Sequence, residues 1–276
     1  MKKETGYALI TAAAAAVAIP LWMCAPGIAT RRQRAPFMGV NHAHRGLHTK
    51  DRSVPENSLK AFDLAAAAGY GMELDVQLSS DGQVVVFHDD TLDRVCGVHS
   101  RVDEKTYEEL KKLSLCGTEY TIPLFTEVLD TIHGRGPLIV ELKTGHRNRE
   151  LCEKTYAILA EYKGDVCIES FNPFIVAWFR FHAPELLRGQ LSMPYAPGNW
   201  SSDLPKPLAF LMSRCLLNFA ARPHFIAYKI GKRPLMVHVA QWMGAIKVAW
   251  TSHEAKNEKN NDAVIFEFYT PEKKYK

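Results

Sequence analysis

Five short apolar runs end in side chains suited to metal or phosphate chemistry. Val40–Ala43 leads into His44-Arg45-Gly46, and Met72–Val76 carries Glu73 and Asp75 within it. Val84–Phe87 leads into His88-Asp89, Leu138–Val140 into Glu141-Leu142-Lys143, and Cys167-Ile168 into Glu169-Ser170. Side chains alternate along a strand, so residues two apart share a face. Glu73 and Asp75 therefore project together with Leu74 opposite, and Glu141 and Lys143 form a second such pair. Neighbouring carboxylates repel unless a proton or a metal sits between them. Glu141 as a third carboxylate makes an oxygen-rich site suited to Mg²⁺ or Ca²⁺. Arg45 offers a planar fork to phosphate and Lys143 a point charge. His44 and His88 can move protons near neutral pH. Together these groups describe metal-assisted phosphodiester cleavage.

Taken singly, each residue has an ordinary explanation. Glu73 or Asp75 alone would be a solvated strand residue, Arg45 a surface residue and His88 a half-buried histidine. His42 shares a face with His44, and spacing does not choose between them. His99, His133, His146, His182, His224, His238 and His253 read as structural or surface residues, and Trp250 as packing. The joint occurrence at the ends of apolar runs carries the functional reading.

The elements that must position these groups alternate. Strands are expected at Val40–Ala43, Gly71–Leu78, Val84–His88, Leu138–Leu142, Val166–Glu169, Leu187–Leu191, Phe225–Tyr228, Ala245–Trp250 and Val264–Phe268. Ser79-Ser80-Asp81-Gly82 reads as a turn between two of them. Helices are expected at Ser58–Ala68, closed by Gly69, and at Thr106–Leu113, Phe125–His133, Glu150–Tyr162, Pro173–Phe181, Leu208–Ala220 and Leu235–Met243. Such alternation implies parallel βαβ units, and the chain length suits an α/β protein closed as a (β/α)₈ TIM barrel. An open doubly wound sheet is the alternative, but no G-x-G-x-x-G or Walker A motif supports a nucleotide fold. Residues 192–207 read as a loop near a site mouth.

The 276 residues are 47 % apolar and 23 % charged, which excludes disorder, collagen and coiled coil for the whole chain. The net charge of +4 resides in residues 1–34, where Lys2, Lys3, Arg31, Arg32 and Arg34 face only Glu4. Residues 35–276 are balanced, so the broad basic surface that nucleic acid requires is missing. No charged residue occurs from Thr5 to Thr30, and the stretch is Ala-rich and interrupted by Pro20 and Pro26. It reads as a single-pass transmembrane anchor with a basic flank, or as a signal peptide cut near Gly27-Ile28-Ala29 from a secreted protein. Residues 1–34 and 35–276 are thus expected to be separate units, and charge on both flanks leaves the side of the membrane open. Six cysteines without regular spacing read as free thiols.

At the residues that carry the chemistry, the chain resembles the glycerophosphodiester phosphodiesterase family. The resemblance runs through Ala43-His44-Arg45-Gly46, Pro55-Glu56-Asn57-Ser58, Glu73-Leu74-Asp75-Val76, Val86-Phe87-His88-Asp89 and Val140-Glu141-Leu142-Lys143. Weaker echoes lie at Ile122–Leu129, Glu169–Asn172 and Ala249–Thr251. It implies a TIM barrel that hydrolyses glycerophosphodiesters to sn-glycerol 3-phosphate and an alcohol. It implies Glu73, Asp75 and Glu141 as ligands of one divalent metal ion, His44 and His88 as the catalytic acid/base pair, and Arg45 and Lys143 as phosphate binders. Glu56 and Asn57 would support the first loop, with Asn57 capping the helix at Ser58. The substrate's own 2-hydroxyl would be the nucleophile, through a cyclic phosphate. Two departures stand out. Where the family often continues Trp-Thr with Val-Asn, this chain has Ser252-His253, and the last strand, Ala263-Val264-Ile265-Phe266-Glu267-Phe268, lacks the commoner Thr-Asp ending.

Two other readings follow from the same residues. A lysophospholipase D would act on a diester with one acyl chain and would suit a membrane anchor. A barrel that only binds glycerophosphodiesters would need a broken catalytic set, and here the set is complete. The sequence leaves the head group, the choice of Mg²⁺ or Ca²⁺ and the oligomeric state open.

Overall fold

The computed structural model describes residues 2–195 and 204–276, apart from the side chains of residues 2–6, 8–10 and 12. Half of the expected loop 192–207, residues 196–203, lies outside the described residues. Nine strands form: β1 (Val40–Ala43), β2 (Gly71–Leu78), β3 (Val84–Val86), β4 (Leu138–Leu142), β5 (Val166–Ser170), β6 (Leu187–Ser192), β7 (Phe225–Lys229), β8 (Ile246–Ser252) and β9 (Ala263–Phe266). All except β3 pair in parallel, in the order β1-β9-β8-β7-β6-β5-β4-β2, and β1 pairs with β2 to close the ring. The expected eight-stranded parallel barrel is therefore present. β3 is not a barrel strand. It folds back antiparallel on β2 across the Ser79–Gly82 turn and opens a long excursion before β4.

Alternation builds two cores. Leu74, Val76, Val140, Leu142 and Ile168 face outward against the helices, whose inner faces supply Phe62, Phe125, Ile132 and Phe179. Ile139, Cys167, Leu187, Phe225, Val248 and Ile265 fill the barrel itself. The residues after β3 have a third core of Phe87, Leu92, Val95, Val102, Leu110, Leu115 and Ile122. That excursion is a packed unit set against the barrel rather than a slack loop.

Local signals account for the helix ends. Ser58 caps the helix Leu59–Ala68 by accepting from the Ala61 amide, and Gly69 ends it at φ 78°. Asn57 does not cap this helix, contrary to expectation. Its backbone is left-handed at φ 56°, which sends the amide to Asp75 instead. The expected helix Leu208–Ala220 is two pieces, Lys206–Ser213 and Asn218–Ala221, with Cys215 at φ 54° between them. Gly71 is required by close approach, since a Cβ there would lie 2.5 Å from the His42 ring.

The N-terminal segment forms one helix, α1 (Lys2–Cys24), with Pro20 inside it. Among the described residues no helix is long and apolar enough to cross a membrane. The expected anchor falls partly on residues whose side chains lie outside the described set, and Pro20 and the run of alanines weaken the rest. The end of α1 joins the barrel ahead of the boundary expected after residue 34. Cys24 is fully buried beside Cys215, Val237 and Ala240. Arg222 donates to the Trp22 and Ala25 carbonyls at 2.9 Å each, and the Gly27 amide donates to the Pro223 carbonyl. All six cysteines are free.

Candidate active site

The C-terminal ends of the barrel strands carry the polar residues, the usual position of an active site in this architecture. After β1 the chain turns sharply, with Arg45 at φ 53° and Gly46 at φ 77°. A Cβ on Gly46 would come within 2.8 Å of Ala61, so only glycine lets the turn lie on the first barrel helix. The turn delivers the Arg45 amide to Glu73 Oε2 at 3.0 Å and brings His44 Nε2 to 4.0 Å from the same oxygen. Glu73 and Asp75 leave the same face of β2, as their spacing predicts. Asp75 pairs in register with Glu141 on β4, which pairs with Glu169 on β5.

Glu73, Asp75 and Glu141 each offer an oxygen within 4.8 Å of the others, and all three are buried. Lys143 Nζ bridges Glu141 Oε1 at 2.8 Å and Asp75 Oδ1 at 3.3 Å. Arg45 Nε stands 3.5 Å from Asp75 Oδ2, which also accepts from Asn57 Nδ2 at 2.9 Å. The structure thus brings together all five metal and phosphate residues expected from the sequence. Burial, with Asp75, Glu141 and Glu169 nearby, raises Glu73 well above the carboxylate range. Burial also raises Glu141 and Glu169. Burial alone would raise Asp75 too, but Lys143, His88 and Arg45 hold it below its usual value. Counting Glu169, the cavity has four buried carboxyls against the cations Arg45 and Lys143. Ionised together, the four carboxyls would exceed the two cations by two negative charges, a balance that one divalent cation held by oxygen ligands would restore.

The histidines flank this acidic centre. His44 Nδ1 lies 2.9 Å from Glu267 Oε2, and burial pushes its pKa down to about 4. His88 Nδ1 lies 2.6 Å from Asp89 Oδ1. Each ring therefore has Nδ1 engaged by a carboxylate, leaving Nε2 for reaction. His42 is fully buried, stacked on Phe37 at 6.1 Å. Geometry thus selects His44, where spacing left both open. Trp250 packs edge-on against Phe171 and donates to the Ser192 carbonyl at 3.1 Å.

A chain of ion pairs links the two flanks. Glu56 Oε1 receives Arg45 Nη1 at 2.6 Å and Arg94 Nη2 at 2.7 Å, and Arg94 Nε reaches Asp89 Oδ2 at 2.6 Å. Burial opposes ionisation of Glu56, but Arg94 and Arg45 bring it down to about 2. Sequence reasoning missed Arg94, His253 and Glu267 as site residues. Arg94 lies inside the excursion without a motif, and Glu267 registered only as a departure from a pattern.

Comparison with known proteins agrees with this geometry. Residues 44–267 match the model of the glycerophosphoryl diester phosphodiesterase family. A glycerophosphodiester phosphodiesterase of Caldanaerobacter subterraneus subsp. tengcongensis is 37 % identical over 162 residues, 54 % of this chain and 65 % of its own length. One from Bacillus altitudinis is 34 % identical over 163 residues, 55 % of this chain and 65 % of its own length. The matched region thus spans less than two thirds of these relatives, 65 % of their length. An Oleispira antarctica phosphodiesterase, solved in complex with the product sn-glycerol-3-phosphate, superimposes with a TM-score of 0.66 at 23 % identity, covering 83 % of this chain and 93 % of that one.

Proposed function

The chain belongs to the glycerophosphoryl diester phosphodiesterase family, and from that premise we propose that it is a metal-dependent hydrolase that cleaves glycerophosphodiesters to sn-glycerol 3-phosphate and an alcohol. The observation that carries this reading is the pair of histidines, each held at Nδ1 by a carboxylate, on either side of a buried acidic triad. Glu73, Asp75 and Glu141 would hold Mg²⁺ or Ca²⁺. A bound divalent cation supplies positive charge that favours ionisation of the attacking hydroxyl and stabilises the developing phosphoryl charge.

The chain's own residues do the rest. Arg45 and Lys143 bind the phosphate oxygens, and their ties to Asp75, Glu56 and Glu141 fix them before substrate arrives. One histidine takes the proton of the substrate's 2-hydroxyl at Nε2 while the other gives a proton to the leaving alcohol. Phosphorus gains the bond to the 2-oxygen and loses the bond to the leaving oxygen, giving a cyclic diester. Water then opens the ring with the two roles reversed.

The proposal extends to placement at a membrane. α1 continues an uncharged stretch from Thr5 to Thr30, and Val17, Ile19 and Trp22 are exposed on it. A single-pass anchor would hold the barrel at a lipid surface. That exposed apolar helix also favours a second substrate class, lysophospholipids cleaved on the alcohol side of the phosphate.

The test is release of sn-glycerol 3-phosphate from glycerophosphodiesters bearing choline, ethanolamine, glycerol or inositol, with Mg²⁺ or Ca²⁺ and again with EDTA. Metal-dependent release is expected. If no small diester yields it while lysophospholipids release their head-group alcohol and leave the acylated glycerol phosphate, the second substrate class holds. Failure of both overturns the enzyme reading. Recovery of the full chain with membranes, resistant to high salt, is the result expected of an anchor.

A further inference from the structure

The two departures from the family pattern, Ser252-His253 and Phe266-Glu267, lie fourteen residues apart at the ends of different strands, yet they meet. Glu267 Oε2 pairs with His44 Nδ1 at 2.9 Å, and Glu267 Oε1 pairs with His253 Nε2 at 2.8 Å. His48 Nε2 stands 3.8 Å from Glu267 Oε2. The carboxylate is thus clamped at both oxygens, with one contact inside the cavity and the other at its rim.

The backbone is shaped for this meeting. β8 and β9 pair regularly at Val248↔Ala263 and Ala249↔Val264, then resume at Ser252↔Phe266, so β8 carries one extra residue. Thr251 sits within that bulge at φ 54°, a conformation that β-branched residues rarely adopt. A bulge beside a site re-aims the side chain that follows it. Here that side chain is His253. The Glu267 amide donates to the Ser252 carbonyl at 2.9 Å, which ties the two strand ends together below the clamp.

We propose that Glu267 is the positioning residue of His44, that His253 braces Glu267, and that the strained bulge in β8 exists to place this brace. The proposal rests on the phosphodiesterase reading for its effect on rate, but the pairing itself can be tested without turnover. Accepting from Nδ1–H fixes the tautomer with its lone pair at Nε2, on the side of Glu73. When Nε2 takes a proton, the negative carboxylate balances the imidazolium that forms. A neutral amide at position 267 could keep the hydrogen bond but not the charge. His253 holds the free oxygen, so the carboxylate does not rotate away from His44. Neither Glu267 nor His253 is among the residues that bind phosphate or the divalent cation.

The experiment is a double-mutant cycle on the full chain with Glu267→Gln, His253→Gln and the pair, reading kcat, KM and the metal concentration for half-maximal rate. Glu267→Gln should lower kcat about a hundredfold, at the low end of what acid–base catalysis contributes, with KM and the metal requirement little changed. His253→Gln should lower kcat about tenfold in the parent chain and less than about twofold once Glu267 is already Gln, as expected of coupled neighbours. Proton NMR of the metal-free chain supplies the second readout: the His44 Nδ1 proton should resonate far downfield and move upfield in Glu267→Gln, because charge-assisted hydrogen bonds are the stronger ones. Additive losses from the two substitutions, or an unchanged proton signal in Glu267→Gln, overturn the proposal. His253 is 57 % exposed on its side chain, so its replacement leaves the core untouched and keeps the cycle interpretable. Should the parent chain hydrolyse no diester, the proton signal alone decides the pairing, while the phosphodiesterase reading fails separately.

Discussion

The two histidines both border the acidic triad but are held by different means. His44 follows β1, and its carboxylate partner follows β9, the neighbouring strand in the ring. Barrel register sets that pair, and the His44 side chain is only 13 % exposed. His88 follows β3, outside the barrel, and its partner Asp89 is the next residue. Asp89 is steadied by Arg94, Arg94 by Glu56, and Glu56 by Arg45. The His88 side chain is 31 % exposed. One histidine is thus fixed by the closed sheet and the other by a string of charges from a separately packed unit.

The difference can be broken from the centre outward. Glu73→Ala removes what both flanks share, and turnover should fall by about a thousandfold or more, several kcal/mol of barrier, together with metal binding; calorimetric metal titration and initial rates check this. His44→Asn and His88→Asn should each lower kcat by about 10²–10⁴-fold with KM nearly unchanged, and steady-state kinetics of both variants would show whether the flanks weigh equally. Arg94→Gln should cost about tenfold in kcat and spare the His44 flank, so the His44 Nδ1 proton signal should stay where it is in the parent chain. The smallest effect concerns acid stability. Glu56 is depressed in the folded state to about 2, so its contribution is complete above its unfolded value, near 4.5, and is lost as pH falls through about 2. Arg94→Gln should shrink that contribution and move acid unfolding, followed by circular dichroism, to higher pH.

How much could be read beforehand depended on distance along the chain. Glu73 with Asp75, and Glu141 with Lys143, are separated by two residues on a strand, and period-two alternation places each pair on one face whatever the rest does. The eight barrel strands were legible for the same reason, as apolar runs buried on both sides. Spacing did not choose His44 over His42, because both leave the same face and only the depth of the ring tells them apart; the family motif alone named His44. Glu267 and His253 depend on which strands become neighbours and on a one-residue bulge, neither of which has a local signature. Arg94 meets Glu56 across 38 positions through the packing of the excursion. Asn57 looked like a cap because its type suits one, but a left-handed backbone redirected it. At the N-terminus, composition marked the apolar helix, yet the fit of Cys24 among Cys215, Val237 and Ala240 is a matter of shape and leaves no pattern in α1 itself.

The bond between His44 and Glu267 spans 223 residues, and it forms across the contact between the first and last strands of the ring. Chains are made from the N-terminus at roughly 5–20 residues per second, so His44 waits on the order of ten seconds or more for its partner to be synthesised. Until β9 arrives, the ring is open beside β1 and the His44 imidazole lacks the charge that orients it. The His44–Glu267 pair is therefore among the last parts of the site that the nascent chain acquires. A chain halted well after Lys143 but before Glu267 would carry the whole proposed set of metal, phosphate and proton-transfer residues with the His44 half of the proton pair untuned.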